Sequence, residues 1–324
     1  MQKSARRVHV LLSIACLLPP PAAGQQWPSK PIIFVSTGAA DAAPRVVAEE
    51  LSRVLGQPIV IDTHSGASGI VSAEYALRQA ADGHTFLAAT SALMAAPHTF
   101  KVSFDVLRDF TPVSMLAMAP FVLVAHPSVP VRSLGELIAL AKKRPGELNF
   151  SSTSPGSSST LTAELFKAKA GINIVHVSHK TMGSALTDVL GGQVQLCMSA
   201  GPNAVEQIRA GKVRALAAST PKRSVVLPET PTFSELGFPD IALSAWFGIL
   251  ARTGTPPAIT TRTSAEIRKV LSKPEVRDKL LKAAVEPVGN TPEEFAVFMK
   301  TDFERWGEAA KAAGISANAP SKGP

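Results

Sequence analysis

Short β-branched apolar runs recur along the chain. Each is followed at once by a cluster of Gly, Ser, Thr or Ala, and then by a stretch with helical periodicity. Ile32 to Val35 leads into Ser36-Thr37-Gly38-Ala39-Ala40-Asp41 and a helix predicted over 44–55, whose Val46, Val47, Leu51 and Leu55 share a face. Pro44 suits its first turn. Pro58 to Ile61 leads into Thr63-His64-Ser65-Gly66-Ala67-Ser68-Gly69 and a helix around 72–81, and Thr85 to Ala88 leads into Ala89-Thr90-Ser91. A second set follows. Leu148-Asn149-Phe150 enters the hydroxyl tract 151–160 and a helix predicted over 161–170; Ile172 to Val177 enters 178–184 and a helix over 185–190; Val194 to Met198 enters Ser199-Ala200-Gly201-Pro202-Asn203.

Strands alternating with helices predict an α/β fold with parallel sheets and right-handed crossovers, and two sets of three predict two similar lobes. Phe121 to Ala125 and Ile241 to Leu250 are the candidate strands crossing between them, which makes the lobes discontinuous. Helices predicted near 259–271, 274–284 and 291–313 return to the first lobe. The last has a strong start, with Thr291 as cap, Pro292 behind it and Glu293 and Glu294 at the positive end.

A chain of 324 residues that is 45% hydrophobic has enough apolar content for two cores and is not a disordered composition. Residues 1–24 read as a secretory signal: Lys3, Arg6 and Arg7 first, then an apolar run from Val8 to Leu18, then Pro19-Pro20-Pro21-Ala22-Ala23-Gly24, with cleavage before Gln25. That run is shorter than the roughly 20 residues needed to span a bilayer as a helix. Arg6-Arg7 as a twin-arginine signal and Cys16 as a lipidation site fit less well, the first for want of flanking residues and the second for want of apolar length before it. Removing the segment lowers the net charge from +8 to a mild +5, and a single tyrosine, Tyr75, leaves no basic patch interleaved with aromatics. Nucleic acid is thereby disfavoured. Of the two cysteines, Cys16 leaves with the signal and Cys197 is expected as a small buried hydrophobe.

In open parallel sheets, ligands settle outside the carboxyl ends of the strands, at helix N-termini whose unpaired N–H groups favour anions. The small-residue loops here supply backbone donors and short hydroxyls, Thr90, Ser91 and Ser199 among them, so a small anion is the expected ligand. Asp41 suits either a helix cap or a water-mediated contact. No G-x-S-x-G, G-x-x-x-x-G-K-[ST], G-x-G-x-x-G or H-E-x-x-H pattern occurs, so no enzyme template fits. A hydrolase using Ser68 or a serine of 157–159 would need a base within reach. His176 and His179 are spaced to chelate only on a helix, and they fall on a strand, so no metal and no cofactor are expected.

Several segments together resemble one family: Trp27-Pro28-Ser29-Lys30-Pro31-Ile32, Leu55-Gly56-Gln57-Pro58-Ile59-Val60, Ala81-Asp82-Gly83-His84-Thr85-Phe86-Leu87, Arg108-Asp109-Phe110-Thr111-Pro112-Val113-Ser114, and the run from Ala185 to Val194. Leu227 to Thr232, Trp246 to Ala251 and Glu286 to Phe295 continue the match. In order and spacing they resemble the Bug-type periplasmic solute-binding receptors of tripartite tricarboxylate transporters. The resemblance implies a two-lobed type II periplasmic binding protein fold, each lobe a mostly parallel sheet flanked by helices, with the ligand cleft between. The expected division is 1–24 signal, 25–124 plus 245–324 first lobe, and 125–244 second lobe. The implied function is capture of a small carboxylate in the periplasm by a monomer and its delivery to the transporter's membrane components. A sensor presenting the carboxylate to a signalling partner is the alternative. Family contacts map onto Thr37, Gly38, Ala39 and Asp41, onto Ser65, Gly66, Ala67, Ser68 and Gly69, onto Ser152, Thr153, Gly156, Ser157 and Ser158, and onto His179 and Lys180. The first loop is shorter than in relatives, His179 replaces a tyrosine and Thr181 a glycine. No acid lies near Ser199-Ala200, which disfavours an amino-acid ligand.

Overall fold

The computed structural model describes residues 27–38 and 42–317. The expected signal segment and the loop residues Ala39, Ala40 and Asp41 lie outside the described residues. In chain order the elements of the first half are β1 (Ile32–Ser36), α1 (Ala42–Leu55), β2 (Ile59–Thr63), α2 (Ile70–Arg78), β3 (Thr85–Thr90), α3 (Ala92–Thr99), α4 (Val106–Asp109), β4 (Phe110–Ala125) and α5 (Leu134–Lys143). Then come β5 (Asn149–Ser152), α6 (Ser158–Ala170), β6 (Val175–Ser178), α7 (Met182–Leu190), β7 (Leu196–Ala200), α8 (Gly201–Arg209) and β8 (Arg214–Ala218). The chain closes with β9 (Ser244–Arg252), α9 (Pro257–Ser272), α10 (Pro274–Lys282), β10 (Glu286–Pro287) and α11 (Pro292–Ala312).

The two lobes repeat one topology. In the first, β2, β1 and β3 run parallel, β9 pairs antiparallel beside β3, and the first part of β4 lies beyond β9. In the second, β6, β5 and β7 run parallel, the last part of β4 pairs antiparallel beside β7, and β8 lies beyond it. Each lobe therefore carries the three loops that follow its strands at one end of a parallel trio, closed by a strand arriving from the other lobe. The strand β4 serves both sheets: residues through Pro120 pair with β9, and Phe121 onward pair with β7 and β8. Along its second half, Phe121, Leu123 and Ala125 enter one core while Val122 and Val124 enter another, because alternate residues face opposite sides.

The predicted strand at 121–125 is the end of this longer strand. Pro112 and Pro120 obscured the rest, since proline weakens a strand pattern. The pairing of β4 with β9 is irregular near Pro112 and again between Met115 and Ala117, where Asn290 fills in: its Oδ1 accepts from Met115 N at 2.8 Å and its carbonyl from Ser114 Oγ at 3.0 Å. Four helices begin where hydroxyl caps place them, α5 at Ser133, whose Oγ accepts from Glu136 N at 3.2 Å, and three more. Ser157 Oγ accepts from Thr160 N at the start of α6, so that helix includes 158–160, which the sequence pattern assigns to a loop. Thr181 and Ser184 form a capping box on α7, and Thr291 and Glu294 one on α11.

The helix α11 lies behind the crossing strands and packs on α3 of the first lobe and α6 of the second. Trp306 meets Phe121 edge-on at 6.4 Å, and Trp246 of β9 meets Phe295 at 5.4 Å. Both indoles donate to Asp302 Oδ2, at 2.7 Å from Trp246 and 3.0 Å from Trp306. Among the described residues no helix is long and apolar enough to cross a membrane.

Candidate functional site

The loop after β2 carries an unusual backbone. Gly66 has φ 144° and ψ 153°, Ala67 has φ 44°, Ser68 has φ 56° and ψ 32°, and Gly69 has φ 93°. Left-handed non-glycine residues cost energy, and among the described residues there are three, of which Ala67 and Ser68 are adjacent here. Gly69 N donates to Gly66 O at 3.0 Å and closes the turn, and Ser72 Oγ donates to Gly69 O at 3.0 Å. The N–H groups of Ala67 and Ser68 find no acceptor among the described residues, and neither does the Ser68 hydroxyl. Consecutive N–H groups turned out of a left-handed run form a concavity suited to an oxyanion.

The first loop leans on this turn. Ser65 Oγ donates to Thr37 O at 2.8 Å, His64 N donates to Ser36 O at 2.8 Å, and Gly38 N donates to Ser36 Oγ at 3.0 Å. His64 is stacked on Tyr75 at 3.7 Å and bonded to Asp62 at 2.9 Å, which holds the loop's entry on α2. Thr37, Gly38 and Ser65 to Gly69 thus form one cluster. Thr90 is half-buried at the end of β3.

Across the interface, Ser91 Oγ lies 3.5 Å from Ser158 Oγ, and Thr99 Oγ1 lies 3.3 Å from Gly156 O, as it does from Ala95 O and Ala96 O of its own helix. A Cβ on Gly156 would fall 2.6 Å from Thr99 Oγ1 and 2.7 Å from Phe100 Cε2. The expected ligand residue Gly156 is therefore where the lobes touch, and its surroundings are protein. Gly156→Val is expected to hold this seam apart, giving a larger radius of gyration by small-angle scattering; an unchanged radius would contradict it.

The hydroxyl tract is largely turned inward. Ser152 is fully buried, bonded to Thr160 Oγ1 at 2.6 Å and His176 Nε2 at 2.7 Å. Ser157 Oγ is 2.9 Å from Thr160 Oγ1 and 3.2 Å from Ser159 Oγ, and Thr153 Oγ1 is 3.4 Å from Ser159 Oγ. Ser199 is also fully buried and donates to Ala200 O at 3.3 Å. His179 is tied to its own lobe, Nε2 to Asp188 at 2.8 Å and Nδ1 to Val177 O at 3.1 Å, while Lys180 beside it is exposed. Thr99 and Phe100 gave no sequence signal of a part in the site, since they end a helix, while Thr160 stood only as one member of the hydroxyl tract and His176 only as half of a rejected metal pair.

Burial first, then Lys167 and His179, push the His176 imidazole down to about 4, so it is neutral near pH 7. Burial pushes the Cys197 thiol up to about 12, leaving it unreactive beside Met182. Among the described residues no group of three or more His, Cys, Asp or Glu could hold a metal ion. A cavity of about 650 Å³ lined by Glu74, Arg78, Arg108 and Arg252 opens near Arg252, which follows the β9 residue paired with the start of β3, at the end of the lobe opposite these loops. Two of its three arginines are engaged, Arg108 with Asp109 at 2.7 Å and Arg252 with Gln79 O at 2.6 Å, and Arg78 lies 6.0 Å from the Tyr75 ring centre.

Two lobes of one topology, joined by crossing strands and meeting at small-residue loops, define a periplasmic-type solute-binding protein. A family model described as the tripartite tricarboxylate transporter family receptor matches residues 43–315, and the chain belongs to that family, whose members are receptors and not enzymes. The Bordetella pertussis protein BugT is 35% identical over 301 residues, covering 91% of this chain and 92% of that one. A structure of an R. palustris protein with adipate is 33% identical with a TM-score of 0.82, covering 90% of this chain and 99% of that chain. MatC from Rhodopseudomonas palustris, with bound malate, is 29% identical with a TM-score of 0.78, covering 87% and 99%.

Proposed function

We propose that this protein is a periplasmic receptor that closes its two lobes over a small organic carboxylate and delivers it to the membrane components of a tripartite tricarboxylate-type transporter. The observation that carries the reading is the turn at Gly66 to Gly69, where the Ala67 and Ser68 N–H groups meet no acceptor among the described residues, in a chain similar to proteins solved with adipate and with malate. A carboxylate accepts from such donors without a cationic side chain. In this reading Thr37, Gly38 and Ser65 to Gly69 hold the carboxylate, Ala39 and Asp41 share in its capture, and Ser91 and the β5–α6 loop contact the remainder from the floor of the cleft. Lys180, exposed on the second lobe, draws anions toward the mouth. The protein acts as a monomer after export through residues 1–24, and the crossings in β4 and ahead of β9 are where the lobes hinge.

Closure must be worth a few kcal/mol of differential binding to shift the population decisively. Residues 25–324 are expected to melt higher with one class among mono-, di- and tricarboxylates, by the equivalent of about 2.7 kcal/mol at a hundredfold excess over Kd. A folded sample that responds to no carboxylate would sink the reading. Delivery is tested separately, by carboxylate uptake in cells with and without the receptor.

A further inference from the structure

The hydroxyls of the second-lobe tract can be sorted by where their protons go. Each hydroxyl has one proton and two lone pairs, and a carbonyl can only accept. Thr160 Oγ1 lies 2.9 Å from Ser154 O and 3.3 Å from Thr153 O, so its proton goes to these carbonyls. Its lone pairs then accept from Ser152 Oγ at 2.6 Å and Ser157 Oγ at 2.9 Å. With the Ser152 proton spent on Thr160, the contact of 2.7 Å to His176 requires Nε2–H to donate to Ser152. The inner chain runs from His176 through Ser152 and Thr160 to Ser154 O, with Ser157 joining at Thr160, and no proton in it is free. The remaining contacts are longer: 3.2 Å from Ser159 to Ser157, 3.4 Å from Thr153 to Ser159 and 3.5 Å from Ser158 to Ser91.

We infer that His176 is a positioning residue for ligand recognition: its Nε2–H fixes Ser152, Thr160 and Ser157 as a rigid backing for the β5–α6 loop, and leaves Thr153, Ser158 and Ser159 as the hydroxyls that turn toward the ligand's distal group. Ser152 and Ser157, expected as ligand contacts, become scaffold. The inference rests on the carboxylate-receptor reading for its ligand, but the scaffold itself can be tested without one. His176 is held by stacking on Phe150 at 4.8 Å, and Phe150 carries Lys167 Nζ 5.2 Å from its ring centre. Burial first, then Lys167 on α6 and His179 just past the strand, oppose a proton added to the ring and outweigh the backbone contact to Thr153 that favours it, which keeps the neutral form that the chain accommodates.

The test compares His176→Phe, which keeps the ring stack and loses the donor, with His176→Gln, whose amide restores a donor at similar reach. Ser152→Ala removes the same link from the other side should the phenylalanine variant fold poorly. In ligand-free protein, hydrogen exchange of the amides over 153–160 is expected to quicken about tenfold in His176→Phe and in Ser152→Ala, and to stay near wild type in His176→Gln. Calorimetry with adipate and malate as probes is expected to show a matching loss of about tenfold in affinity, recovered in His176→Gln. Thr153→Val is expected to weaken affinity with exchange unchanged. Equal exchange in His176→Phe and wild type, or a glutamine variant as impaired as the phenylalanine one, would overturn the inference. If wild type binds no carboxylate, the receptor reading fails, while the exchange comparison still decides the scaffold.

Discussion

Asp302→Asn is expected to be at least as stable as the wild type near neutral pH, and to lack the wild type's gain in stability on acidification. Asp302 sits on α11 between Trp246 and Trp306, all three buried, and accepts both indole N–H groups on one oxygen. Burial, partly offset by the two indoles and by Arg305, raises its carboxyl from 3.8 to about 6. A carboxyl that is harder to ionise in the folded state binds its proton more tightly there. The cost is fully present above about 6 and is relieved as pH falls from about 6 toward 3.8, so in that window stability falls as pH rises. The shift corresponds to about 3 kcal/mol. Asparagine keeps a carbonyl for the indoles and has no charge to bury, so urea midpoints of the two proteins should converge in acid and diverge toward neutrality. A difference that does not change with pH would show that the carboxylate is adequately solvated in place. Trp246 belongs to a crossing strand and α11 packs on both lobes, so this charge is buried where the lobes join.

The parts of the fold legible in the sequence were those written locally. The βα units follow from apolar runs and small-residue clusters, and Thr291 and Pro292 mark the start of α11 because a cap needs only its own first turn. The other elements depend on distant partners. Arg214–Ala218 is a strand made mostly of alanine, whose pattern carries little β signal and which forms because Val122 to Ala125 offer it an edge. The same holds for the site. The turn at Gly66 to Gly69 is evident from its glycines, whereas the direction of His179 is set by Asp188, nine residues on across the start of α7. The tract 151–160 reads uniformly as hydroxyls, yet its division into backing and free groups depends on Ser154 O and on a histidine from the neighbouring strand. Gly156 is expected from the sequence as a ligand contact, whereas the need for glycine there is steric, imposed by Thr99 and Phe100 of the other lobe.

Gly66→Ala is expected to weaken carboxylate binding by at least about tenfold while leaving the melting temperature nearly unchanged. The φ of 144° and ψ of 153° at Gly66 lie in a region essentially reserved for glycine, and an added Cβ would stand 3.0 Å from Val71 Cγ2. The loop is exposed through Ala67, so it can relax to another conformation without disturbing the core, and in doing so it loses the convergence of the Ala67 and Ser68 N–H groups. Ala67→Gly tests the same turn in the opposite sense. Alanine at φ 44° carries a left-handed penalty of about 1 kcal/mol that glycine removes, so this variant should be as stable as the wild type or slightly more so. It should still bind more weakly, because the glycine loop samples other conformations before the ligand arrives and must be ordered by it. Wild-type affinity in Gly66→Ala would move the carboxylate away from this turn. Tighter binding in Ala67→Gly would mean that the alanine opposes the bound shape, whereas the expected pairing of equal stability with weaker binding makes the left-handed alanine a residue that holds the empty loop ready.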